Sequence, residues 1–462
     1  MNNPTDTICA MATAQGGAIG IIRLSGPCAI AITSTLFHPH QSDVKLADRK
    51  AYTLTFGRLM DGEEIIDEVL VSLFRAPHSY TGEESVEISC HGSAYILQRV
   101  LQLLISSGAR LAHPGEFTQR AFLNGKMDLS QAEAVADLIA STSAASHRLA
   151  MNQMRGEFSH ELSQLRERLL HFTSLIELEL DFSDHEELEF ANRNDLKQLA
   201  QEIESKLSRL VHSFRTGNAL KNGVPVAIVG ETNVGKSTLL NTLVGDERAI
   251  VSDIHGTTRD VIEDCITLGG VLFRFIDTAG IRSTNDTIES IGIARTFKKI
   301  EQAEIVLWMI DATCAEEQIN QLSSQILPLC EEKQLLILFN KADLVPATSL
   351  TTIPLPTGTK SLNISAKSHQ GISELEQWLL EAAQLPQLSQ EDVIVSNVRH
   401  YEALQFALAS IRRVSQGLAD NLSGDFISQD IRECIFHLSD IVGEVTSNEI
   451  LNNIFKHFCI GK

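Results

Sequence analysis

The stretch Gly230 to Thr238 reads G-E-T-N-V-G-K-S-T, and the apolar run Val224 to Val229 comes directly before it. An apolar segment that stops at a glycine, loops through a second glycine and continues into Thr238 to Leu243 has the strand-loop-helix layout of a phosphate-binding loop. An ordinary glycine turn is the alternative, but every fixed position of the loop pattern is filled. The stretch therefore predicts a nucleotide site in an α/β domain.

The loop contains the residue types that hold a nucleoside triphosphate. Gly230 and Gly235 allow the backbone to curl, so that successive N–H groups face the β-phosphate at the positive end of the following helix. Lys236 adds a positive charge toward the β- and γ-phosphates, and the Ser237 hydroxyl can complete the coordination of Mg²⁺.

Length and composition describe a multidomain globular protein. A chain of 462 residues is long enough for about three domains. The hydrophobic fraction is 43%, and no apolar run reaches the roughly 18 residues that span a bilayer, so we expect no membrane segment. Met1 to Ala14 lacks the basic region and apolar core of a secretory signal, so we expect a cytoplasmic location.

Charge and cysteine usage argue against further classes of protein. The net charge of −21 argues against a protein that coats nucleic acid through a general basic surface, so any RNA contact must be local or shared with a partner. The eight cysteines contain no C-x-x-C pair, which indicates neither a zinc site nor a disulfide framework.

The hydrophobic pattern predicts three domains. Residues 1–120 mix short β-rich runs with one amphipathic helix, Ser93 to Ser106, which is typical of an α+β domain. Residues 121–219 and 386–462 are helical, and we expect them to pack on each other as one discontinuous domain. Residues 220–385 alternate strands and helices, which predicts a parallel sheet covered on both faces and inserted into the helical domain.

Local signals place the elements within these domains. Ser130 with Glu133 predicts a capping box at the start of the first helix of the helical domain. The strands predicted for residues 220–385 are Val224 to Val229, Val261 to Leu268, Val271 to Ile276, Ile305 to Ile310, Leu335 to Phe339 and Leu362 to Ile364.

Two motifs downstream of the phosphate loop indicate guanine as the base. Asn340-Lys341-Ala342-Asp343 ends an apolar strand, and the Asp343 carboxylate can accept the N1 and N2 protons of guanine, a pair that adenine lacks. Asn340 and the Lys341 stem can hold the ring. Ser365-Ala366-Lys367 follows the last strand and can place a backbone N–H at guanine O6.

Two further segments predict contacts to the γ-phosphate and Mg²⁺. Asp277-Thr278-Ala279-Gly280 can hold the Mg²⁺ shell through its aspartate, while the Gly280 N–H senses the γ-phosphate. Within Ser252 to Asp260, Thr258 would complete the Mg²⁺ shell when the triphosphate orders the segment. The predicted GTP-binding residues are Asn233, Val234, Gly235, Lys236, Ser237, Thr238, Ser252, Asp253, Ile254, His255, Gly256, Thr257, Thr258, Asp277, Thr278, Ala279, Gly280, Asn340, Lys341, Ala342, Asp343, Ser365, Ala366 and Lys367.

The attacking water needs an unusual partner in this chain. Ile281 follows Gly280 where small signalling GTPases place the glutamine that orients the water. An isoleucine cannot do this, so another polar group must, and Glu289 is preferred over Asp286 or Arg282.

Together these motifs resemble the bacterial tRNA modification GTPase family called MnmE or TrmE, and the likeness covers the whole chain. It includes Gly20 to Gly26, Pro114 to Lys126, the T-T-R-D segment Thr257 to Asp260 and the terminal C-I-G-K segment Cys459 to Lys462. The last two, with an inserted GTPase segment, make the match specific.

The resemblance implies a function. Members of the family act with an FAD-containing partner, called MnmG or GidA, to add a carboxymethylaminomethyl-type (aminomethyl) group to carbon 5 of the tRNA wobble uridine. The one-carbon donor is a tetrahydrofolate derivative, in the 5-formyl or 5,10-methylene form. The amino-terminal domain binds the folate and forms a homodimer, so Arg23, Glu87, Lys126 and Lys462 are the matching folate-binding candidates, each with a surface or interface ion pair as the alternative.

The resemblance also implies two catalytic features. Cys459 matches a proposed reactive thiol, although buried packing explains it equally well. No arginine finger can be identified, so another positive charge must lie beside the β- and γ-phosphates. The Asn233 side-chain oxygen, with oxygens from Ser252, Ile254 and Thr257, can form a cage for K⁺, as in the family, where a glutamate matching Glu289 orients the water.

A second class of function is the alternative. Related T-T-R-D GTPases are non-enzymatic switches that dock on RNA or ribosomes during assembly. Such a switch would usually carry a basic RNA-binding appendage, which is not visible in this sequence, and the folate-type domain favours the RNA-modifying enzyme.

Overall fold

The computed structural model describes residues 6–40, 45–181, 193–248, 264–276, 299–346, 350, 355, 359–383, 393–456, 458 and 461. The chain divides into two compact units. One consists of Met1–Ile139, Gln153–Ile203 and Phe406–Lys462, and the other of Ala140–Asn152 and Glu204–Gln405.

The helices and strands are numbered in chain order. The strands are β1 Ile8–Met11, β2 Ile19–Ser25, β3 Phe37–Pro39, β4 Thr53–Asp61, β5 Glu64–Phe74, β6 Ser85–His91, β7 Arg110–Leu111, β8 Val224–Val229, β9 Asp264–Leu268, β10 Val271–Phe275, β11 Ile305–Asp311, β12 Gln334–Asn340 and β13 Lys360–Asn363. The helices are α1 Ala29–Leu36, α2 Ala94–Ser106, α3 Glu116–Leu123, α4 Leu129–Ala140, α5 Ala144–Met154, α6 Glu157–Asp181, α7 Arg193–Asn222, α8 Lys236–Arg248, α9 Ala315–Ile326, α10 Ile372–Ala382, α11 Val398–Ala419, α12 Gly424–Val442 and α13 Asn448–Phe455.

The first unit contains a seven-stranded sheet with the order β3-β4-β5-β6-β2-β1-β7. Its strands alternate buried and exposed residues, which is the pattern of an antiparallel sheet with one covered face. The covered face packs side chains such as Leu24, Val71 and Ile88 against helices α1 and α2. On the other face Phe56 lies opposite Leu70 in the β4–β5 register, and both side chains are exposed. This is the α+β domain that the sequence predicts.

Helices from both ends of the GTPase segment meet in the same unit. The Arg166 Nε of α6 donates to the Ser439 Oγ of α12 at 2.9 Å, and one turn from the end of α6 Glu177 pairs with Arg432. The earlier and later helices therefore contact each other within this unit, while the discontinuous helical domain and its bounds stay a prediction. Among the residues that the structure describes, no helix is long and apolar enough to cross a membrane.

The predicted capping box was placed two residues too late. Helix α4 begins at Leu129, and the cap is Asp128, whose Oδ1 accepts from the Gln131 N–H at 2.9 Å while Gln131 Oε1 accepts from the Asp128 N–H at 3.0 Å. Ser130 lies inside the helix, where its hydroxyl bonds Asp128 and Ser159. Asp128 and Gln131 form the capping box instead, because the Ser130 hydroxyl is buried against Ser159.

The second unit contains a six-stranded sheet with the order β13-β12-β11-β8-β10-β9. Strands β13, β12, β11, β8 and β10 run parallel, as the sequence predicts. The prediction of a wholly parallel sheet is wrong at one edge, where β9 pairs antiparallel with β10. Gly269 and Gly270, both at positive φ, form a tight turn there, which leaves no room for a crossover helix.

Helices α1 and α3 have no counterpart in the prediction for residues 1–120, which contains one helix. Helix α1 reads A-I-A-I-T-S-T-L and is rich in β-branched residues, which favour strands. Its burial against the sheet overrides that preference. Helix α3 begins after Gly115, which adopts a left-handed conformation (φ +67°).

Candidate functional site

The candidate nucleotide site lies at the carboxyl edge of the second unit's sheet. The register pairs Trp308 with Val229 and Asp311 with Asn340, so that the loops after β8, β11 and β12 start at the same edge. Ligands of open α/β sheets bind beyond this edge, because the strand ends and the helix N-termini converge there.

Two glycines shape the phosphate loop. Gly230 has φ +145°, and a Cβ added there would lie 2.2 Å from the Met309 carbonyl oxygen. Gly235 has φ +100°, and its Cβ would lie 2.4 Å from Asn340 Nδ2. Both positions therefore require glycine for conformation and for space. Between them Asn233 is exposed and has a left-handed φ of +64°.

Lys236 begins helix α8 and folds back over the loop. Its Nζ donates to the carbonyl oxygens of Gly230 at 2.8 Å and Glu231 at 2.5 Å. Burial lowers the pKa of Lys236 to about 8, with Lys299 acting in the same direction and Glu231 opposing. The positive charge is thus held in a poorly solvated position, where an approaching phosphate would stabilise it.

The first turn of α8 presents the other loop residues. Ser237 is half-buried and Thr238 is exposed, while Leu239, Leu240 and Leu243 are completely buried and anchor the helix to the core. The half-buried hydroxyl of Ser237 thus lies at a helix N-terminus, which is a suitable position for a metal ligand beside a bound phosphate.

Asn340 joins the phosphate loop to the loop after β13. Its side chain is buried; Nδ2 donates to the Val234 carbonyl at 2.7 Å, and Oδ1 accepts from the Ala366 N–H at 3.0 Å. The Asn340 amide therefore joins the two loops, and its contact with a guanine ring stays a prediction.

The other residues of the base motif lie next to Asn340. Lys341 has a left-handed φ of +62°, and the Ala342 N–H donates to the Ile364 carbonyl at 3.1 Å. Asp343 is exposed at the start of the following turn. In the last motif the Ser365 N–H donates to the Gln370 carbonyl and the Ala366 N–H to Asn340, while Lys367 is exposed.

Three polar residues near the site were not predicted from the sequence. The Asp311 Oδ2 accepts from Lys341 Nζ at 2.5 Å, and Gln318 bridges the Asp311 N–H and the Glu231 carboxylate. Asp311 had a readable signal, since it ends an apolar parallel strand. Gln318 lies on a helix face, and Glu231 lies at a position of the loop pattern that any residue can fill. Neither position carries a sequence signal that would have predicted its role.

Several predicted residues lie outside the described residues, and the structure gives no account of them. They are Ser252, Asp253, Ile254, His255, Gly256, Thr257, Thr258, Asp277, Thr278, Ala279, Gly280, Ile281, Arg282, Asp286, Glu289, Cys459 and Lys462.

In the first unit the structure brings together two of the folate candidates. Arg23 and Glu87 face each other on β2 and β6, and the Arg23 Nη2 lies 2.8 Å from Glu87 Oε1. The Arg23 guanidinium also lies 5.6 Å from the Tyr80 ring centroid and 5.8 Å from that of Phe117. Burial raises the pKa of Tyr80, although its bond to Thr118 and the nearby Arg23 oppose this.

The third candidate contacts the same loop. The exposed Lys126 donates from Nζ to the Pro77 carbonyl at 3.0 Å, three residues before Tyr80. The carboxyl-terminal segment also reaches this site, because Arg23 Nη1 lies 3.5 Å from the Gly461 carbonyl. Gly461 is a close fit, since an added Cβ would lie 2.1 Å from the Met11 carbonyl oxygen.

Two protein-family models match the chain. The model described as the MnmE helical domain matches residues 129–459, and the one described as the GTP-binding protein TrmE N-terminus matches residues 7–126.

Whole proteins of the same description are similar over their full length. The tRNA modification GTPase MnmE of Bacteroides thetaiotaomicron is 67% identical, over 99% of this chain and 99% of that protein. The protein of the same name from Porphyromonas gingivalis is 51% identical, over 99% of this chain and 98% of that protein. Among solved structures, the G domain of the T. maritima FeoB iron transporter is 25% identical with a TM-score of 0.26, over 35% of this chain and 99% of that one.

Proposed function

Because this chain belongs to the MnmE family of tRNA modification GTPases, and is therefore a GTP hydrolase, we propose that it hydrolyses GTP to support a modification of the tRNA wobble uridine. The modification is the addition of a carboxymethylaminomethyl-type group to carbon 5, carried out in the cytoplasm with an FAD-containing partner of the MnmG type. The observation that carries the proposal is the buried Asn340, which holds the phosphate loop and the base loops in one arrangement.

Guanine recognition follows from the groups left available in these loops. The exposed Asp343 carboxylate accepts from the N1 and N2 positions of the base, and the Lys341 stem covers one face of the ring. In the last motif the N–H groups of Ser365 and Ala366 already have partners, so the contact to guanine O6 falls to the Lys367 N–H. Adenine lacks this pair of donors, so it would lose both charge-assisted hydrogen bonds to the carboxylate.

The phosphate side is formed by the N-terminal turn of α8. Its N–H groups and the Lys236 ammonium bind the phosphates, and Ser237 would hold Mg²⁺ with Thr258 and, through water, Asp277. When bound, Mg²⁺ supplies charge neutralisation between the β- and γ-phosphates.

Asn233 suits a monovalent ion, because its left-handed backbone lies at the exposed tip of the loop and its amide oxygen is a neutral ligand. With oxygens of Ser252, Ile254 and Thr257 it would hold K⁺, while Glu289 orients the water.

The folate derivative would bind beside Arg23 and Glu87 on the exposed face of the first sheet. Arg23 and Glu87 already form one ion pair with each other, and the exposed Tyr80 ring adds aromatic surface for a flat ring. A carboxylate such as Glu87 can accept from a pterin ring, and cations such as Arg23, Lys126 and Lys462 can meet a formyl oxygen or the glutamyl tail. Cys459, three residues before the carboxyl terminus, is the proposed reactive thiol.

The homodimer is proposed to form through the same sheet. Its uncovered face exposes Tyr52, Leu54, Phe56 and Leu70 side by side on β4, β5 and the residue before β4. Contiguous exposed apolar side chains of this kind mark an interaction surface, and a second copy of the sheet would present a matching one.

The experiment that tests the proposal is mass analysis of wobble nucleosides in cells that lack the protein and are complemented with variants. Wild-type protein should restore the modification, and Arg23→Ala should fail to restore it while keeping GTP affinity, with weaker binding of 5-formyltetrahydrofolate in calorimetry. Unmodified wobble positions that persist with wild-type protein, or normal modification without the protein, would instead favour a GTP-dependent switch in ribosome or RNA assembly.

A further inference from the structure

Four polar side chains form a continuous series of contacts beneath the nucleotide site. Gln318 Nε2 of α9 donates to Glu231 Oε2 in the phosphate loop at 2.8 Å. Gln318 Oε1 accepts from the backbone N–H of Asp311, at the end of β11, at 3.0 Å. The Asp311 carboxylate in turn accepts from Lys341 Nζ in the base loop at 2.5 Å.

This series crosses the sheet. Strand β11 lies between β8, which leads into the phosphate loop, and β12, which leads into the base loop. Adjacent strands are about 4.8 Å apart, so Glu231 and Lys341 belong to loops on opposite sides of the β11 end. Gln318 and Asp311 span that gap. These contacts are separate from the two hydrogen bonds of Asn340, which join Val234 to Ala366.

The chemistry of Gln318 suits this position. The side chain is only 6% exposed, and both ends of its amide are used, one as a donor and one as an acceptor. A carboxylate of the same shape could still accept from the Asp311 N–H, but it would face the Glu231 carboxylate without a proton to share. The position therefore distinguishes an amide from a carboxylate that fills the same volume.

Asp311 is held as firmly as Gln318. Its Oδ1 accepts from the Thr313 N–H at 3.0 Å and from the Thr313 hydroxyl at 2.7 Å, which leaves Oδ2 directed at Lys341. Burial disfavours the charged carboxylate, but the bonds from Lys341 and Thr313 outweigh it and lower the pKa of Asp311. The ion pair is therefore intact at neutral pH, and it fixes the end of the Lys341 stem.

We propose that Gln318 and Asp311 are positioning residues that couple the phosphate loop to the guanine loop, so that a nucleotide filling one loop orders the other. The inference rests on the proposed GTP site, in which the Lys341 stem covers the base. Ordering both loops in advance lowers the conformational entropy lost on binding, and it slows nucleotide release. The side chains of Gln318 and Asp311 contact Glu231, Thr313 and Lys341, so we expect them to affect how the nucleotide is held and not the rate at which bound GTP is hydrolysed.

The test uses an exchange of amide and carboxylate across the Glu231–Gln318 contact. Gln318→Glu alone places two carboxylates against each other and should speed the dissociation of fluorescent GDP about tenfold, the effect of one lost hydrogen bond to a charged group. The double variant Glu231→Gln with Gln318→Glu restores a donor to the contact and keeps the acceptor for the Asp311 N–H. Its dissociation rate should return to within about twofold to threefold of wild type.

Two readouts separate positioning from a general structural role. The kcat at saturating GTP should stay within about twofold of wild type in the Gln318→Glu protein, while KM follows the dissociation rate. Lys341→Met keeps an apolar stem and removes the charge, and in that background Gln318→Glu should change dissociation by about twofold or less, although the two side chains do not touch. If Gln318→Glu changes the dissociation rate by the same factor with and without Lys341→Met, the two residues act independently and the coupling is wrong. The coupling is also wrong if Gln318→Glu dissociates GDP at the wild-type rate, or if the double variant Glu231→Gln with Gln318→Glu dissociates GDP as fast as Gln318→Glu alone.

The outcome is separable from the GTP assignment. If Asp343→Asn fails to change the preference for guanine, the proposed GTP site is wrong. If Asp343→Asn changes that preference and the exchange of Glu231 and Gln318 has no effect, only the coupling is wrong.

Discussion

At the scale of single residues, the proposed base specificity depends on the Asp343 carboxylate. The side chain is exposed beside a loop that Asn340 and Ile364 hold in place, so its substitution should change recognition without changing the fold. The two hydrogen bonds it offers are charge-assisted, and each is worth about 1.5–3 kcal/mol.

We therefore predict that Asp343→Asn lowers GTP affinity by about 100-fold or more and shifts preference toward xanthine nucleotides, whose C2 oxygen would meet an amide donor. Nucleotide competition measures both effects. ATP should fail to compete in either protein, and an unchanged preference for guanine in the variant would contradict the assignment.

The Lys236 ammonium predicts a pH dependence of nucleotide binding. Its pKa of about 8 applies to the nucleotide-free protein, and a bound phosphate raises it by supplying the opposite charge. Binding therefore takes up a proton near pH 8, and affinity for GDP should fall as pH rises, approaching about tenfold for each pH unit above 8. Calorimetry at pH 8.5 in two buffers of different ionisation enthalpy checks this, since equal heats would mean that no proton is taken up.

At the scale of single elements, the start of helix α4 is capped by Asp128 and not by Ser130. Asp128→Ala removes the acceptor for the Gln131 N–H, and loss of such a cap costs about 1 kcal/mol. We expect the amides of residues 129–140 to exchange with deuterium roughly fivefold faster in this variant. Asp128→Asn keeps a capping oxygen and should exchange at nearly the wild-type rate. Equal exchange in all three proteins would remove Asp128 as the cap.

The phosphate loop as an element predicts a dependence on monovalent cation. Ile281 stands in place of the water-orienting glutamine, and no arginine finger can be identified in the sequence. An arginine finger typically raises the hydrolysis rate by about 10³ to 10⁵, so another positive charge must supply this effect. We expect hydrolysis to be faster in K⁺ than in Na⁺ at equal ionic strength, Asn233→Ala to abolish the difference, and Glu289→Ala to lower turnover without loss of GTP binding. Steady-state phosphate release is the measurement, and identical rates in the two salts would exclude the potassium mechanism.

At the scale of the whole molecule, the exposed face of the first sheet predicts the assembly. Phe56 is 45% exposed and lies opposite Leu70, which is 39% exposed. A stable interface buries about 800 Å² on each partner, and charge at its centre is costly. Phe56→Glu should therefore convert the proposed homodimer to a monomer in analytical ultracentrifugation. Phe426→Glu is the control, because that phenylalanine on α12 is also exposed, at 64%, and its substitution should leave the dimer intact.

Much of the fold followed from short-range pattern. Strand β8 occupies the predicted residues because an apolar run bounded by glycines permits few other structures. The nucleotide loop was equally readable, since its glycines, Lys236 and Ser237 act within one turn of chain. The residues proposed to bind guanine could be identified for the same reason, because each motif lies at or just after the end of a strand of the parallel sheet.

The tertiary structure decided what depends on partners distant in sequence. The cap at Asp128 prevailed over the one at Ser130 because the Ser130 hydroxyl is buried against Ser159, which no local pattern records. Gln318 reaches Glu231 from 87 residues away and Asp311 from seven, through a helix whose sequence only indicates which face is apolar. The sequence by itself thus determined the loops that we propose contact the nucleotide, whereas the contacts that hold these loops against one another arise only when the strands assemble into a sheet.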